Sequence, residues 1–169
     1  MKLKELKCIN ENINLDDYFS FKKYIKDNMK HPEWLRDYTK EDIENQLKNG
    51  AKIWIYYDGT TPVCSMMISP STKEDMIEVG LKINHKKTAF YRSMFVNPIY
   101  VGNKLQYQML LKLDEYCKEK GFENCIGTVH PDNIYSINNI LKDGFKIVNI
   151  KEIKSGIRNI YLKKANKTN

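Results

Sequence analysis

The sequence has no long hydrophobic run, and none of its segments approaches the ~18 apolar residues that a membrane-spanning helix needs. Residues 1–7 contain no apolar core of a signal peptide. The four cysteines are scattered and form no C-x-x-C pair, so a zinc site is not expected; they are Cys8, Cys64, Cys117 and Cys125. Scattered reduced thiols are typical of cytosolic proteins. We therefore predict a cytoplasmic protein with no membrane contact and no bound metal.

Arginine is also scarce. Arg36, Arg92 and Arg158 are the only arginines among 28 basic residues, although the chain carries a net charge of +7. Arginine is the residue that most often contacts bases and clamps phosphates in nucleic-acid binders. The lysines alternate with acidic residues along the chain, which is typical of a solvated surface. Nucleic acid is therefore not expected to be the main ligand, and a moderate basic excess also suits a protein that binds a polyanionic cofactor.

A chain of 169 residues with 41% hydrophobic and 29% charged residues has the size and composition of one globular domain. We predict this domain over residues 1–163 and a polar tail over residues 164–169. Hydrophobic periodicity predicts the order β-α-α-β-β-(α)-β-α-β-α-β-β, an α/β fold with a mixed sheet and helices on both faces. The predicted strands cover residues 3–9, 51–57, 62–68, 88–96, 124–129, 145–153 and 157–163, and a short helix is predicted over residues 72–83.

The segment after the strand 88–96 carries the clearest functional signal. Asn97-Pro98 ends that strand, and the apolar face of the next helix begins at Leu105. A helix that follows a strand through a short loop presents free backbone N–H groups to an anion. Such a loop can also bind nothing, so a second feature is needed to support an anion site.

Four pieces of the chain together resemble the acyl-CoA-binding half of the GNAT acetyltransferase superfamily in order and spacing. They are Ser93-Met-Phe-Val-Asn-Pro98, Gly102-Asn-Lys-Leu-Gln106, Thr128-Val-His-Pro-Asp-Asn133 and Gly144-Phe145. The resemblance covers the second half of the chain, whereas the first half matches only in element order. It implies a bacterial enzyme with a GNAT-like fold and acetyl-CoA as co-substrate.

The family binds the pyrophosphate of coenzyme A with the motif Arg/Gln-x-x-Gly-x-Gly/Ala. Its six positions fall on Val101, Gly102, Asn103, Lys104, Leu105 and Gln106. Val101 replaces the usual Arg or Gln, Lys104 replaces the first motif glycine, and Gln106 replaces the last small residue. Lys104 either obstructs the pyrophosphate or pairs with a phosphate, and we favour retained binding because the loop acts through backbone N–H groups.

The second matching element is the helix after residue 133. The resemblance implies that Asn133 and the small Ser136 face the pantetheine arm, whose amides need donors and acceptors. Lys142 lies on the same predicted helix and could reach the phosphates. Asn133 also fits a simpler role as the N-cap of that helix.

The resemblance also implies where chemistry takes place. In the family two parallel strands, here 88–96 and 124–129, separate and hold the thioester in the gap. Backbone N–H groups around Met94, Phe95 and Val96 would then polarise the thioester carbonyl. The family's general-acid tyrosine falls on Ile140, which has no proton to give.

Other residues could supply the missing proton chemistry. The candidates are His130, since histidine is a frequent general acid or base, and Tyr135. Their simpler roles are a strand-end residue bonded to a loop and a packing residue, respectively. No carboxylate stands in the strand before Pro98, where some family members carry a base; Arg92 is there instead, and Glu78 could reach in from the helix predicted over residues 72–83.

The acceptor side is predicted from aromatic and acidic residues. Trp34, between the first two helices, and Tyr161, on the last strand, are expected to line the substrate site. A local acidic group favours an amine acceptor; its members are Glu33, Asp37, Glu41 and Asp42. The last strand, if exposed, could pair with a second copy to form a homodimer.

Three functions remain open at this point. The first is an acetyl-CoA-dependent N-acyltransferase acting on the primary amine of a small molecule, amino-acid derivative or peptide. The second is a catalytically weak or inactive CoA-binding module of the same fold. The third, suggested by size and basic charge, is a toxin-like enzyme that acetylates aminoacyl-tRNA.

Overall fold

The computed structural model describes residues 1–165, and it contains seven strands and five α-helices within them. In chain order these are β1 (Lys7–Ile9), α1 (Leu15–Asp27), α2 (Lys40–Lys48), β2 (Lys52–Asp58), β3 (Thr61–Pro70), α3 (Lys73–Val79), β4 (Thr88–Val96), α4 (Leu105–Lys120), β5 (Asn124–Val129), α5 (Ile134–Lys142), β6 (Lys146–Ile153) and β7 (Gly156–Lys164). The order agrees with the sequence prediction. No helix of the described residues is long and apolar enough to cross a membrane.

The strands form one mixed sheet in the order β1-β2-β3-β4-β5-β7-β6. Only β4 and β5 pair in parallel, and every other neighbouring pair is antiparallel. Apolar residues of α4 and α5 pack on one face of the sheet. Residues of α1 and α2 pack on the other face, beside a smaller group from α3. The predicted mixed sheet with helices on both faces is confirmed.

Local capping signals explain where two of the helices begin. Thr39 and Asp42 at the start of α2 exchange hydrogen bonds between side chain and backbone, and Thr72 and Asp75 do the same for α3. This reciprocal arrangement satisfies N–H groups that a helix start otherwise leaves free. The helix α3 ends at Val79 because Gly80 adopts a left-handed conformation with φ of 70°. The predicted continuation of this helix to residue 83 is therefore wrong.

Three further predictions differ from the structure. The first strand covers only Lys7–Ile9, because residues 3–5 form a 3-10 turn. The last strand β7 is not exposed, since it lies between β5 and β6, and β6 forms one edge of the described sheet while β1 forms the other. The strand β7 also includes Lys164, the first residue of the predicted tail. Residues 166–169 of that tail lie outside the described residues.

The feature that positions the site is the early end of the β4–β5 pairing. The two strands pair from Thr88 opposite Asn124 to Tyr91 opposite Gly127, and no further. On its other side, β4 stays paired with β3 up to Val96, with a register shift around residues 92–93. The extra residue is a β-bulge, which bends a strand locally. The bulge therefore coincides with the point at which β4 and β5 separate.

Candidate cofactor and acyl-transfer site

The gap between β4 and β5 exposes unpaired backbone groups of β4. The N–H of Asn97 donates to the carbonyl oxygen of Val63 at 2.7 Å, toward β3. Backbone groups alternate in direction along an antiparallel strand. The N–H groups of Val96 and Met94 therefore point away from β3, into the gap, whereas the N–H of Phe95 points toward β3. The Phe95 ring packs against Phe21 of α1.

The connection from β4 to α4 is fixed at its start by Asn97. The side-chain amide of this buried residue donates to the carbonyl oxygen of Pro62 at 3.0 Å, and its oxygen accepts the N–H of Ile99 at 3.2 Å. Two of these hydrogen bonds hold the end of β4 against β3, and the bond from Ile99 fixes the turn that follows. The following loop consequently leaves the sheet at a defined position.

The loop itself presents a run of free donors. The N–H groups of residues 102–107 have no acceptor among the described residues, because the first helical bond of α4 is made by Gln108 to the oxygen of Lys104. Gly102 and Lys104 both have positive φ, at 100° and 58°. Adding a Cβ at Gly102 would meet nothing within 4 Å, so the space above this backbone is open. Successive free N–H groups at the N-terminus of a 16-residue helix suit an anion such as a pyrophosphate.

The start of α5 is tied to the start of α4 by side chains. Gln106 donates to the hydroxyl of Ser136 at 2.8 Å and accepts from the amide of Asn139 at 2.9 Å. Asn133 caps α5, since its oxygen accepts the N–H of Ser136 at 3.2 Å. Gln106 and Ser136 therefore hold the two helices together, and their predicted contacts with a cofactor would have to compete with this bond.

Lys142 lies close to the same helix start. Its ammonium group is 4.3 Å from the centre of the Tyr107 ring, on the first turn of α4. The side chain of Lys104 is exposed, and Val101 is 70% exposed. Leu105, by contrast, is buried in the core. The loop thus combines free N–H groups with two nearby ammonium groups.

The model of the acetyltransferase (GNAT) family matches residues 14–145. The chain belongs to this family. Its members are acetyltransferases, and the resemblance inferred from the sequence is confirmed.

Solved structures show the same fold. An N-acetyltransferase from Staphylococcus aureus Mu50 superposes with a TM-score of 0.69 at 14% identity, over 95% of this chain and 99% of that one. An acetyltransferase from Bacillus subtilis in complex with CoA gives 0.66 at 12% identity, over 94% and 98%. The ribosomal-protein-S18-alanine N-acetyltransferase from Escherichia coli gives 0.68 at 11% identity, over 96% and 97%. No curated protein sequence matches the chain.

In this GNAT protein the side chain of Ile140 packs in the hydrophobic core. It is 5% exposed, and its Cδ1 would lie 2.8 Å from a Cβ added at Gly127 of β5. Gly127 thus makes room for Ile140 directly beside the last residue pair of β4 and β5.

The two predicted proton carriers lie in different environments. Tyr135 is 74% exposed and makes no hydrogen bond with the described residues. His130 follows β5, and its Nδ1 accepts the N–H of Asp132 at 3.1 Å. The neutral ring therefore carries its proton on Nε2. His130 has the bond to a loop that its simpler role predicts, and it keeps one donor nitrogen.

Trp34 reaches the same place from the connection between α1 and α2. Its ring stacks on His31 at 4.4 Å and lies 6.0 Å from the ring of His130. The buried Arg158 of β7 holds this connection by donating to the carbonyl oxygen of Glu33 at 2.8 Å. The structure therefore brings Trp34 and His130 together beyond the end of β5.

Tyr161 does not line the predicted substrate site beside Trp34. It is 2% exposed, in the core on the side of α4 and α5, and its hydroxyl accepts from Asn159 at 3.2 Å. Neighbouring residues of β7 face α3, so Tyr161 faces the opposite side of the sheet. The alternation of the strand did not reveal from the sequence that α4 and α5 would cover this side. The predicted substrate contact of Tyr161 is therefore corrected to a packing role.

Two charged residues, Glu78, which was considered as a base, and Arg92, which stands where a base is absent, are engaged in other contacts. Arg92 donates to Ser69 at 2.7 Å and to Asp75 at 2.8 Å, and Glu78 accepts two bonds from Arg36 at 2.8 and 3.2 Å. These contacts anchor α3 to the sheet and to the α1–α2 connection.

The acidic group proposed for amine recognition is also dispersed. Asp37 pairs with Lys26, Asp42 caps α2, and Glu33 contacts His31 at 3.1 Å. Three of its four members thus have partners within the described residues. They leave little free negative charge for an acceptor at this place.

A buried polar cluster was missed from the sequence. Tyr18 and Ser93 are buried beside the β4 bulge, and neither hydroxyl has a hydrogen-bond partner in residues 1–165. Burial raises the pKa of Tyr18, which keeps it protonated. Burial also lowers the pKa of nearby Lys22 to about 8, and its ammonium donates to the oxygen of Arg36. Tyr18 was hidden because it falls on the apolar stripe of α1; Lys22 looked like one of many surface lysines.

Proposed function

We propose that this protein transfers an acetyl group from acetyl-CoA to a primary amine of a small molecule, amino-acid derivative or peptide. The observation that carries the proposal is the separation of β4 from β5 after Tyr91, with the N–H groups of Met94 and Val96 turned into the gap. Membership of the GNAT family and a neighbour that binds CoA support the same conclusion.

The loop at the start of α4 would hold the cofactor. The free N–H groups of residues 102–107 would bind the pyrophosphate, with Lys104 and Lys142 neutralising charge at its edge. Asn133 and Ser136 would face the pantetheine arm, Ser136 while bonded to Gln106. The N–H of Val96 or Met94 would hydrogen-bond the thioester carbonyl and stabilise the oxyanion that forms when the amine attacks.

Proton transfer would then rest on residues other than the tyrosine that Ile140 replaces. His130 could donate a hydrogen bond from Nε2 to the departing thiolate, because Nδ1 is occupied by the N–H of Asp132. The hydroxyls of Tyr18 and Ser93, which are buried beside the bulge, would be a second candidate for proton transfer. The exposure of Tyr135 favours these groups over Tyr135. Positioning of the two reactants could supply much of the acceleration, roughly 7–11 kcal/mol at best.

Two measurements test the proposal. Acetyl-CoA at a hundredfold excess over Kd should stabilise the fold by about 2.7 kcal/mol and raise the melting temperature by several degrees. A panel of primary amines should then release CoA thiol in steady turnover. Absence of a melting shift at millimolar acetyl-CoA would overturn the proposal.

The same data separate the second candidate function. The buried Ile140 and the left-handed Lys104 are the two features that favour a CoA-binding module without turnover. Stabilisation by CoA without thiol release from any amine would support that module. A tRNA-directed enzyme would instead show tRNA binding that weakens steeply with salt.

We also propose that two copies associate through the edge strand β6. Ile147, Val148 and Ile150 on this strand are 49%, 43% and 63% exposed. In an antiparallel pairing of β6 with its copy about Asn149, Val148 faces Ile150 and Lys146 faces Glu152 of the other chain. In this register the charges at residues 146 and 152 and the apolar side chains at residues 148 and 150 match those of a second copy, whereas Ile147 falls opposite Lys151.

A further inference from the structure

A cavity of about 570 Å³ opens between α1, the β2–β3 turn and the segment that follows β4. Its apolar wall includes three aromatic side chains, Phe21 and Tyr24 of α1 and Tyr57 of β2. The hydroxyl groups of Ser20, Thr60 and Thr61 add hydrogen-bonding positions. None of these three residues is among those named above for acyl transfer. The volume is in the range of small-molecule sites.

The charge of this cavity is opposite to that of the protein. The chain has a net charge of +7, yet the single charged residue that lines the cavity within the described residues is the carboxylate Asp17. Its side chain has no hydrogen-bond or ion-pair partner in residues 1–165. Burial and then the charge of Asp17 raise the pKa of Tyr57, so the carboxylate acts on the aromatic wall.

We propose that this cavity binds an organic ammonium ion with an apolar body. An unpaired carboxylate attracts the ammonium group, and aromatic faces attract a cation through their quadrupoles. The hydroxyl groups satisfy the remaining N–H donors, and the apolar body covers the aromatic wall. An organic anion would meet Asp17 without a compensating cation and is excluded.

The cavity adjoins the cofactor loop. Asn97 and Ile99 line it, and Asn97 is the residue that fixes the end of β4 against β3. A ligand in the cavity would therefore contact the segment that positions Gly102 and the free N–H groups. Binding at the cavity and binding of CoA should be coupled, and the coupling must be reciprocal.

The test uses 2-phenylethylammonium as the probe, with the neutral isostere 2-phenylethanol as the matched ligand, and the full chain without acetyl-CoA. Isothermal titration should detect the ammonium probe, and the alcohol should bind at least about fivefold more weakly. Asp17→Asn should weaken the ammonium probe at least fivefold. Asp16→Asn should leave it unchanged, because Asp16 neighbours Asp17 but pairs with Lys40 and does not line the cavity.

Three results would overturn the proposal. One is no heat and no melting shift with the ammonium probe at millimolar concentration. Another is equal affinity for the ammonium probe and the alcohol. The third is equal affinity of the wild type and Asp17→Asn for the ammonium probe, when Asp17→Asn melts as the wild type does. Because acetyl-CoA is left out, these outcomes are independent of acetyl transfer. Acetyl-CoA stabilisation, measured separately, reports on the proposed function.

Discussion

Lys104 is the residue at which the cofactor loop departs most from its family, and its backbone explains what the motif requires. With φ of 58° and ψ of 27° it occupies the left-handed region, which glycine adopts without steric cost. A side chain there costs roughly 1–2 kcal/mol. The strain is tolerated while the ammonium remains exposed beside the free N–H groups.

Comparing Lys104→Gly with Lys104→Ala separates the conformation of this residue from its charge. Both variants lose the ammonium, but only glycine relieves the strain. Lys104→Gly should therefore be more stable than Lys104→Ala by about 1 kcal/mol, or 2–4 °C in melting temperature. Both should bind CoA about fivefold more weakly if the ammonium pairs with a phosphate. Urea unfolding and titration calorimetry measure the two effects.

Two outcomes would contradict these expectations for Lys104. Tighter CoA binding by Lys104→Gly than by the wild type would show that the side chain obstructs the pyrophosphate. Equal stability of the two variants would contradict the strain. Either result would leave the backbone N–H groups of residues 102–107 available to an anion.

Asp143 is the residue for which we predict a pH-dependent contribution to the stability of the fold. Its carboxyl is buried near Asp114, one oxygen lies 3.4 Å from the ammonium of Lys163, and the other has no partner in the described residues. Tyr91 donates to Asp114 at 2.6 Å from the neighbouring strand. Burial, reinforced by Asp114, raises the pKa of Asp143 to about 7.

The sign of the effect follows from this raised pKa. Between about pH 4 and pH 7 the folded protein binds the Asp143 proton more tightly than the unfolded chain. Its contribution to stability therefore grows as the pH falls, by at most about 1.4 kcal/mol per unit. Asp143→Asn cannot titrate, so the wild type should gain stability relative to this variant from pH 7 down to pH 4. Urea unfolding across that window measures the difference, and a constant difference would contradict it.

Individual residues of the site could be located from the sequence only where their role depends on residues nearby in the chain. Gly102 signals a positive φ, and Asn133 a helix cap, from neighbours in the chain. The bond from Gln106 to Ser136 spans 30 residues and depends on how α4 meets α5. The role of Arg92 could not be found from its neighbours in the chain, because its partner Asp75 belongs to another element.

At the scale of elements, α3 is held to β4 by one largely buried ion pair. The side chains of Arg92 and Asp75 are 4% and 13% exposed, and Asp75 also accepts the N–H of Thr72. Arg92 adjoins the bulge at which β4 leaves β5. The ion pair therefore connects the short helix to the edge of the gap.

Asp75→Asn should be strongly destabilising, because it leaves the Arg92 charge buried without a partner. Such a loss costs about 3 kcal/mol, or roughly 6–12 °C for a chain of this length. Glu74→Gln is the matched control, since Glu74 is the preceding helix residue and is exposed. Calorimetric melting compares them. A loss for Asp75→Asn no larger than that for Glu74→Gln would contradict the role of the pair.

The elements themselves were predictable because each carries its own period and its own boundary. Thr39 and Thr72 start helices with bonds to Asp42 and Asp75 three residues on, and Gly121 ends α4 in the left-handed region. Gly80 ends α3 in the same way, although the sequence prediction extended that helix to residue 83. The position of β7 inside the sheet was not predictable in this way. It depends on which strand β5 accepts as its neighbour, and both β6 and β7 have sequences able to pair.

At the scale of the whole molecule, the edge strand β6 determines the expected assembly. An edge strand offers unpaired backbone groups, and long apolar edges are usually protected. Three apolar side chains of β6 are exposed, and within the described sheet the strand pairs only with β7. A second copy paired antiparallel about Asn149 would use both the backbone groups and these side chains.

Charge reversal tests this assembly. Lys146 faces Glu152 of the other copy twice across the proposed two-fold axis, so Glu152→Lys places lysine opposite lysine at both ends. Sedimentation should show a dimer for the wild type and at least a tenfold weaker dimer, about 1.4 kcal/mol, for Glu152→Lys. The double variant Lys146→Glu with Glu152→Lys restores the opposite charges and should restore the dimer. Leu111→Lys, at an exposed position on α4, is the control and should not change it. A monomeric wild type at every concentration, or a double variant as weak as Glu152→Lys, would contradict pairing through β6 in this register.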